Sequence, residues 1–477
     1  MFRITLLFFL SLGSALLPLA QAENKSSGHT APNIVFLLAD DVNRDTWGAY
    51  GSTNCKTPNI DRLANEGVRF ERAYCAVAMC APFRQELYSG RSPWRTGAMP
   101  NHSKSSEETK SIPHYLKPLG YGVHLIGKTH IGPESVYPFK YHGHGSRYKK
   151  ARVNDNNPAY LEMAGKIMDR HLEDKKPFCI FVASNDGHGP YTTGDPSAYD
   201  ADKLIIPPYW IDTPELRKTL VDYYAEITNF DSLVGGMRDE LEKRGLWENT
   251  IFMVCSEQGS GFPFAKWTCY DNGLRSGLIA HWHGITKPGH VAMDLVSIAD
   301  VAPTLVEAAG GDYGPNDFDG KSVIEMLKGK PQTNHDYLLG AFINRNIIDN
   351  RDRLFPIRSL RTKRYALLFN PNHQQQTSNL TLSGARAMIN EGAKSDGSIA
   401  AEWVVKSRKD ESLKPIVHKL HHRPEYELYD LRKDPYELNN LIGDPAHQEI
   451  EKELKATLHQ RLKELDDADP LTGKFGR

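Results

Sequence analysis

Neither sign of charge is in excess in this chain: 58 lysines and arginines stand against 59 aspartates and glutamates in 477 residues. That balance excludes a global field steering the protein to nucleic acid or an anionic membrane, and it leaves room for a local cationic pocket. Cysteine is scarce. The six cysteines, at 55, 75, 80, 179, 255 and 269, have no spacing that makes a zinc cage or a dense disulfide scaffold. Cys179 and Cys255 lie in apolar runs and read as core residues, while a Cys55–Cys75 bridge stays open. Internal repeats are absent. The long apolar run Ile4–Ala20 follows Arg3 and precedes the small-residue site Ala20-Gln21-Ala22. It is short for a membrane span, and no cysteine follows to carry a lipid. Residues 1–22 therefore read as a secretory signal, which predicts a secreted or periplasmic protein without stable membrane insertion after signal removal.

The length fits one large domain with a smaller one. Short β-rich runs alternate with helical segments, which predicts an α/β fold: a large, mostly parallel central sheet flanked by helices. Strands are expected at Asn33–Ala39, Gly122–Ile126, Phe178–Ala183 and Ile251–Cys255. Helices are expected at Ile60–Glu66, Tyr160–Glu173, Pro214–Arg244 and Ile298–Ala309. The text changes character near Tyr337, where short apolar and basic groups alternate and a helix follows near His447–Leu465. The expected division is residues 23–336 as a catalytic α/β domain and 337–477 as an α+β subdomain, with Gln374–Ser398 a polar excursion.

Each of the four expected strands runs straight into polar residues. The first delivers Asp40 and Asp41, the second Lys128 and His130, the third His188, and the fourth Glu257 and Gln258. Ligands of open α/β sheets gather beyond the carboxyl ends of the strands, so these endings are expected to converge. Three carboxylates and an amide oxygen suit a hard divalent cation such as calcium. Separately, Cys80-Ala81-Pro82-Phe83-Arg84 opens a short helical run. Pro82 suits the first turn, and Cys80 at the N-terminus would sit where free N–H groups favour an anion. Arg84 falls one turn on, on the same face.

That pentapeptide resembles the Cys-x-Pro-x-Arg signature of the formylglycine-dependent sulfatases of the alkaline-phosphatase-like superfamily. The resemblance extends over NIVFLLADD, TPNIDRLANEGVRFERAY and ELYDLRKDPYELNNLIGDP; Phe83 replaces the usual serine. It implies that Cys80 is oxidised to formylglycine by a formylglycine-generating maturase and serves as nucleophile. An odd number of thiols then remains. It also implies one divalent cation, Ca2+, held by Asp40, Asp41, residue 80, Glu257 and Gln258, the last two each one methylene longer than the family's Asp and Asn. In GKTHIGP, Lys128 matches a sulfate clamp and His130 a partner of the formylglycine hydrate. In NDGHGP, His188 matches the leaving-group acid, and in FAKWTCYDNGLR, Lys266 matches the second lysine. Arg84 completes the expected catalytic set.

GKTHIGPESVYPFKY, IPPYWIDTPELRKTL and RPEYELYDLRKDP resemble the N-sulfoglucosamine sulfohydrolase (heparan N-sulfatase) branch of that family. The implied substrate is a sulfated saccharide. An O-sulfatase of another polysaccharide, including an algal one, and a phosphonate monoester or phosphodiester hydrolase remain open alternatives.

Overall fold

The computed structural model of the protein describes residues 31–143, 155–343, 354–375 and 398–475. The expected signal segment and most of the polar excursion at 374–398 lie outside the described residues.

Strand β1 (Asn33–Ala39) is buried along its whole length, as expected of a central strand covered on both faces. Strands β2 (Val68–Tyr74), β3 (Gly122–Gly127), β4 (Lys140–His142), β5 (Phe178–Ala183), β6 (Thr250–Ser256), β7 (Arg275–Trp282) and β8 (His290–Ser297) complete one sheet. Its order is β4-β3-β5-β1-β6-β7-β2-β8. Only β7 runs against its neighbours: β6 and β2 pair with it antiparallel, and every other pairing in this sheet is parallel. The four expected strands are therefore present and contiguous as β3-β5-β1-β6. Strands β2, β4, β7 and β8 escaped the sequence reading; β2 alternates charged and apolar residues (VRFERAY) instead of forming one apolar run, and β4 is only three residues long.

Expected helices form at Pro58–Glu66, Asn157–Asp174, Pro214–Lys243 and Val301–Ala308. The 30-residue helix Pro214–Lys243 is capped by Thr213, whose side chain accepts from Leu216 N. A second, antiparallel sheet follows, ordered β12-β11-β10-β9, with β9 at Leu338–Phe342, β10 at Ile357–Arg361, β11 at Tyr365–Phe369 and β12 at Tyr426–Asp430. The helix Gln448–Glu464 lays Leu454, Leu458 and Leu462 on it, against Leu360, Leu367 and Leu428. The two sheets meet where Val77 bridges Ala341. All six cysteines are buried and free, so Cys55 and Cys75 are not bridged. Among the described residues no helix is long and apolar enough to cross a membrane.

Candidate active site

Because β3, β5, β1 and β6 are parallel, their carboxyl ends share one edge, and backbone bonds extend the ladder past each strand. Lys128 N donates to Ala183 O (2.9 Å), Ser184 N to Leu38 O (2.9 Å), Asp40 N to Asp186 O (3.0 Å) and Glu257 N to Ala39 O (3.1 Å). All four sequence-predicted endings thus converge. Gly187 takes φ +96°, and a Cβ there would lie 2.3 Å from Asp40 O; only glycine lets this loop approach so closely.

Cys80 begins the fully buried helix Cys80–Ser89, after Met79 in extended conformation. Its Sγ lies 3.2 Å from Lys266 Nζ and 3.6 Å from both Asp41 Oδ1 and Gln258 Nε2. The sequence suggested an anion-favouring position, yet burial pushes this thiol well up, with Glu257 adding repulsion that Lys128 and Lys266 oppose. Desolvation outweighs the helix terminus. As a plain thiol, Cys80 is a poor nucleophile.

Around it stand Asp40, Asp41 and Glu257, whose oxygens lie with the Cys80 sulfur within 4.8 Å of one another. Lys266 Nζ reaches both oxygens of Asp41 (2.6 and 2.7 Å). Lys128 Nζ pairs with Asp40, and Gln258 Nε2 donates to Asp41. Arg84 turns to the carboxylates, its Nε 2.6 Å from Glu257 and its Nη2 3.8 Å from Asp40. Burial would raise Asp40, but Lys128 foremost holds it well below the carboxylate range. Burial pushes Glu257 up to about 8, Arg84 opposing and Asp40 reinforcing. Lys266 loses some basicity to burial and regains more from Asp41, ending above its ordinary range.

Asp40 Oδ1, Glu257 Oε2 and Gln258 Oε1 are buried with no hydrogen bond among the described residues, and Glu257 Oε1 meets Arg84 Nε at 2.6 Å without hydrogen-bond alignment. These hard oxygen acceptors, beside Asp41, fit a divalent cation such as calcium. The charges agree as well. With Glu257 ionised, as holding a cation would require, three carboxylates and three cations cancel, so a divalent ion would be balanced by a sulfate ester together with a deprotonated nucleophile.

A cavity of about 780 Å³ opens over Asp41, Cys80, Lys128, His130, His188 and Lys266. His188 Nδ1 donates to Gly189 O (2.8 Å), leaving Nε2 3.5 Å from Asp41 Oδ2. Burial lowers its pKa, partly offset by Asp41. His130 Nε2 meets His102 Nδ1 at 2.7 Å, while its Nδ1 is buried without a partner among the described residues. Burial, then Lys128 and Arg84, drive His130 down to about 2, so it is neutral. Asp41, His102, His130, Phe264 and Trp267 all have positive φ, which concentrates strained backbone here.

Besides Trp267, sequence reasoning missed three parts of this site. The Asn101–Lys104 wall and Trp267 line the cavity, as do Ser398–Ala400 at the start of the helix Ile399–Ser407. The third is Glu226, buried on the helix Pro214–Lys243, whose carboxylate accepts from the backbone N–H of Thr192 (2.6 Å), Gly187 (3.1 Å) and Thr193 (3.2 Å). It clasps the loop that carries His188. A carboxylate beside the apolar face Leu220, Tyr223 and Ile227 was the available signal.

The sulfatase family profile matches residues 32–311, and a second, described as N-sulphoglucosamine sulphohydrolase, C-terminal, matches 259–381 and 405–464. The chain is 32% identical over 454 residues to an ulvan-active sulfatase of Formosa agariphila, covering 93% of this chain and 82% of that one. It is 25% identical over 475 residues to human N-sulphoglucosamine sulphohydrolase, covering 89% of each. A solved structure in complex with its substrate D-glucosamine-2-N,6-O-disulfate matches at TM-score 0.68 and 19% identity, over 92% of this chain and 99% of that one. A phosphonate monoester hydrolase of Silicibacter pomeroyi matches at TM-score 0.67 and 16% identity, over 91% and 96%. These two structural likenesses speak for the fold, which is alkaline-phosphatase-like. With its profile spanning the strand ends, Cys80 and Lys266, and with a relative of such identity over nearly its whole length, the chain belongs to the sulfatase family, hydrolases of sulfate esters or sulfamates.

Proposed function

We propose that this protein is an exported sulfatase that removes sulfate from a sulfated polysaccharide through formylglycine at position 80 and one calcium ion. The observation that carries the reading is the placement of Cys80 at the head of a buried helix, 3.2 Å from Lys266, with its sulfur within 4.8 Å of carboxylate oxygens of Asp40, Asp41 and Glu257. In this reading residues 1–22 direct export, 23–336 form the catalytic domain, and 337–477 supply a C-terminal subdomain that adds Ser398–Ala400 to the cavity.

When present, the hydrated formylglycine supplies two hydroxyls and the cation, held by Asp40, Asp41, residue 80, Glu257 and Gln258, supplies Lewis-acid activation of one of them. This chain's own residues do the rest. Lys128, Lys266 and Arg84 stabilise negative charge on the sulfuryl oxygens as it redistributes. His188, with Nδ1 fixed on Gly189 O, gives a proton from Nε2 to the departing oxygen or nitrogen. His130, whose Nδ1 has no partner among the described residues, takes up a proton during release of sulfate.

Two substrate readings each rest on an observation. The 32% identity to an ulvan-active sulfatase favours an O-sulfated algal polysaccharide. The match to the N-sulphoglucosamine sulphohydrolase C-terminal family, which includes Lys266 and β10–β12, favours N-sulfated glucosamine. Sulfate release from matured enzyme on ulvan oligosaccharides and on N-, 2-O-, 3-O- and 6-O-sulfated glucosaminides decides between them. Release from none, with turnover of phosphonate monoesters instead, would overturn the sulfatase reading.

A further inference from the structure

Lys104, at the end of the wall Asn101–Lys104, takes no part in the chemistry above, yet the wall is tied to residues that do. Gln85, next to Arg84 on the Cys80 helix, donates from Nε2 to Ser103 O (3.0 Å) and accepts at Oε1 from Ser105 N (2.8 Å) and Ser105 Oγ (3.0 Å). Ser105 N also reaches Gly132 O at 2.9 Å. The wall is thereby tied both to the helix bearing the nucleophile and to the loop bearing Lys128 and His130. His102 takes φ +63° to lay its ring against His130, with centroids 4.7 Å apart.

Lys104 stands at the end of this wall and lines the cavity. Its stem packs over Gly132, where a Cβ would come 3.2 to 3.5 Å from Cγ, Cδ and Cε. The other two cavity lysines are neutralised by aspartates, Lys128 by Asp40 and Lys266 by Asp41. Among the described residues Lys104 has no carboxylate within ion-pair distance, so its positive charge is unmatched. An exposed ammonium without a carboxylate partner, on a stem that lies over Gly132, and a cavity roomy enough for more than the scissile group converge on one chemistry.

We propose that Lys104, on the wall shared with His102, is a second anion subsite, which binds a carboxylate or sulfate group of the saccharide other than the sulfate being removed. The inference rests on the sulfatase reading and names its substrate class: saccharides carrying at least two anionic groups. An ammonium is a point charge without a fork, so it accepts either anion.

The test uses matured full-length protein and three saccharides sharing one scissile sulfate: one with a neighbouring uronate, one with a second sulfate, one with neither. Lys104→Gln should raise KM roughly tenfold on the two dianionic substrates, a contact with a charged partner, with kcat held and the third substrate within about twofold. Lys104→Arg should restore most of the loss. A response to only one dianionic substrate identifies which anion the subsite takes. Equal loss on all three, or no change on any, overturns the subsite and leaves the sulfatase reading standing. Calorimetric binding of the same saccharides to Cys80→Ala protein, with and without Lys104→Gln, reads the subsite independently of turnover: a dianion preference abolished by Lys104→Gln supports it, and equal binding refutes it. Absence of sulfate release by the unsubstituted matured enzyme would instead strike the sulfatase reading.

Discussion

Replacing His188 by alanine separates leaving-group protonation from every other role the site could play. Its Nδ1 is committed to Gly189 O at 2.8 Å, so the proton available for transfer is the one on Nε2, which faces the cavity beside Asp41. Removing a positioned general acid costs about 10²–10⁴-fold, which corresponds to roughly 3–5 kcal/mol of barrier. The loss should appear in kcat/KM for sugar sulfates, whose alkoxide or amine leaves poorly. A nitrophenyl sulfate, whose phenolate departs unaided, should lose less than about threefold. The pH dependence follows from burial, which lowers His188 below its ordinary value. Its acid form is then a minority at neutral pH, and the rate on sugar sulfates should fall as pH rises through a pKa under about 6.5. The assay is parallel steady-state kinetics on both substrate classes from pH 5 to 8. Equal losses on sugar and aryl sulfates would remove His188 from the acid role.

Further outcomes follow from the same geometry. Glu257→Asp should weaken cation binding by roughly an order of magnitude by withdrawing an oxygen from the cluster, measured by calorimetry and elemental analysis; unchanged affinity would remove Glu257 from the ligand set. Chelation should abolish turnover and lower the melting temperature, because the ion binds the folded state alone. Glu226→Gln offers one carbonyl oxygen to three N–H donors, so denaturation should show a loss of about 1–3 kcal/mol. Its kcat on sugar sulfates should fall further than on aryl sulfates; a uniform fall would mark a purely structural residue. His124 bridges His142 (2.9 Å) and His171 (3.0 Å), and burial, then those two rings, lower it to about 3. The unfolded chain binds its proton below about pH 6.5 while the folded one does not, so stability is lost as pH falls. His124 alone contributes about 1.4 kcal/mol of loss between pH 7.5 and 5.5. Urea unfolding of His124→Asn should show a pH slope shallower by that amount, and an unchanged slope would contradict the assignment.

The strand ends were legible because β1, β5 and β6 are buried on both faces, which demands continuous apolar text that stops abruptly at Asp40, Ser184 and Glu257. The second sheet was readable only as a change of texture, since its largely buried strands carry Arg358, Arg361 and Glu427, held in long-range pairs that no local pattern announces. The ionisation of Cys80 was not legible for a similar reason. Helix position is local, whereas the desolvation that dominates it comes from burial among distant segments. The Asn101–Lys104 wall is a turn whose partners, Gln85 and Gly132, are separated from it in sequence and joined by the fold.

The central claim is that residue 80, once oxidised, is the nucleophile. Its most direct measurement is peptide mass spectrometry of protein co-expressed with a formylglycine-generating enzyme, paired with sulfate release by the same preparation and by Cys80→Ala. The account predicts the mass change of thiol to aldehyde at position 80, activity proportional to the converted fraction, and none in Cys80→Ala. Undiminished sulfate release by Cys80→Ala, or by protein whose residue 80 is entirely unconverted cysteine, would contradict it.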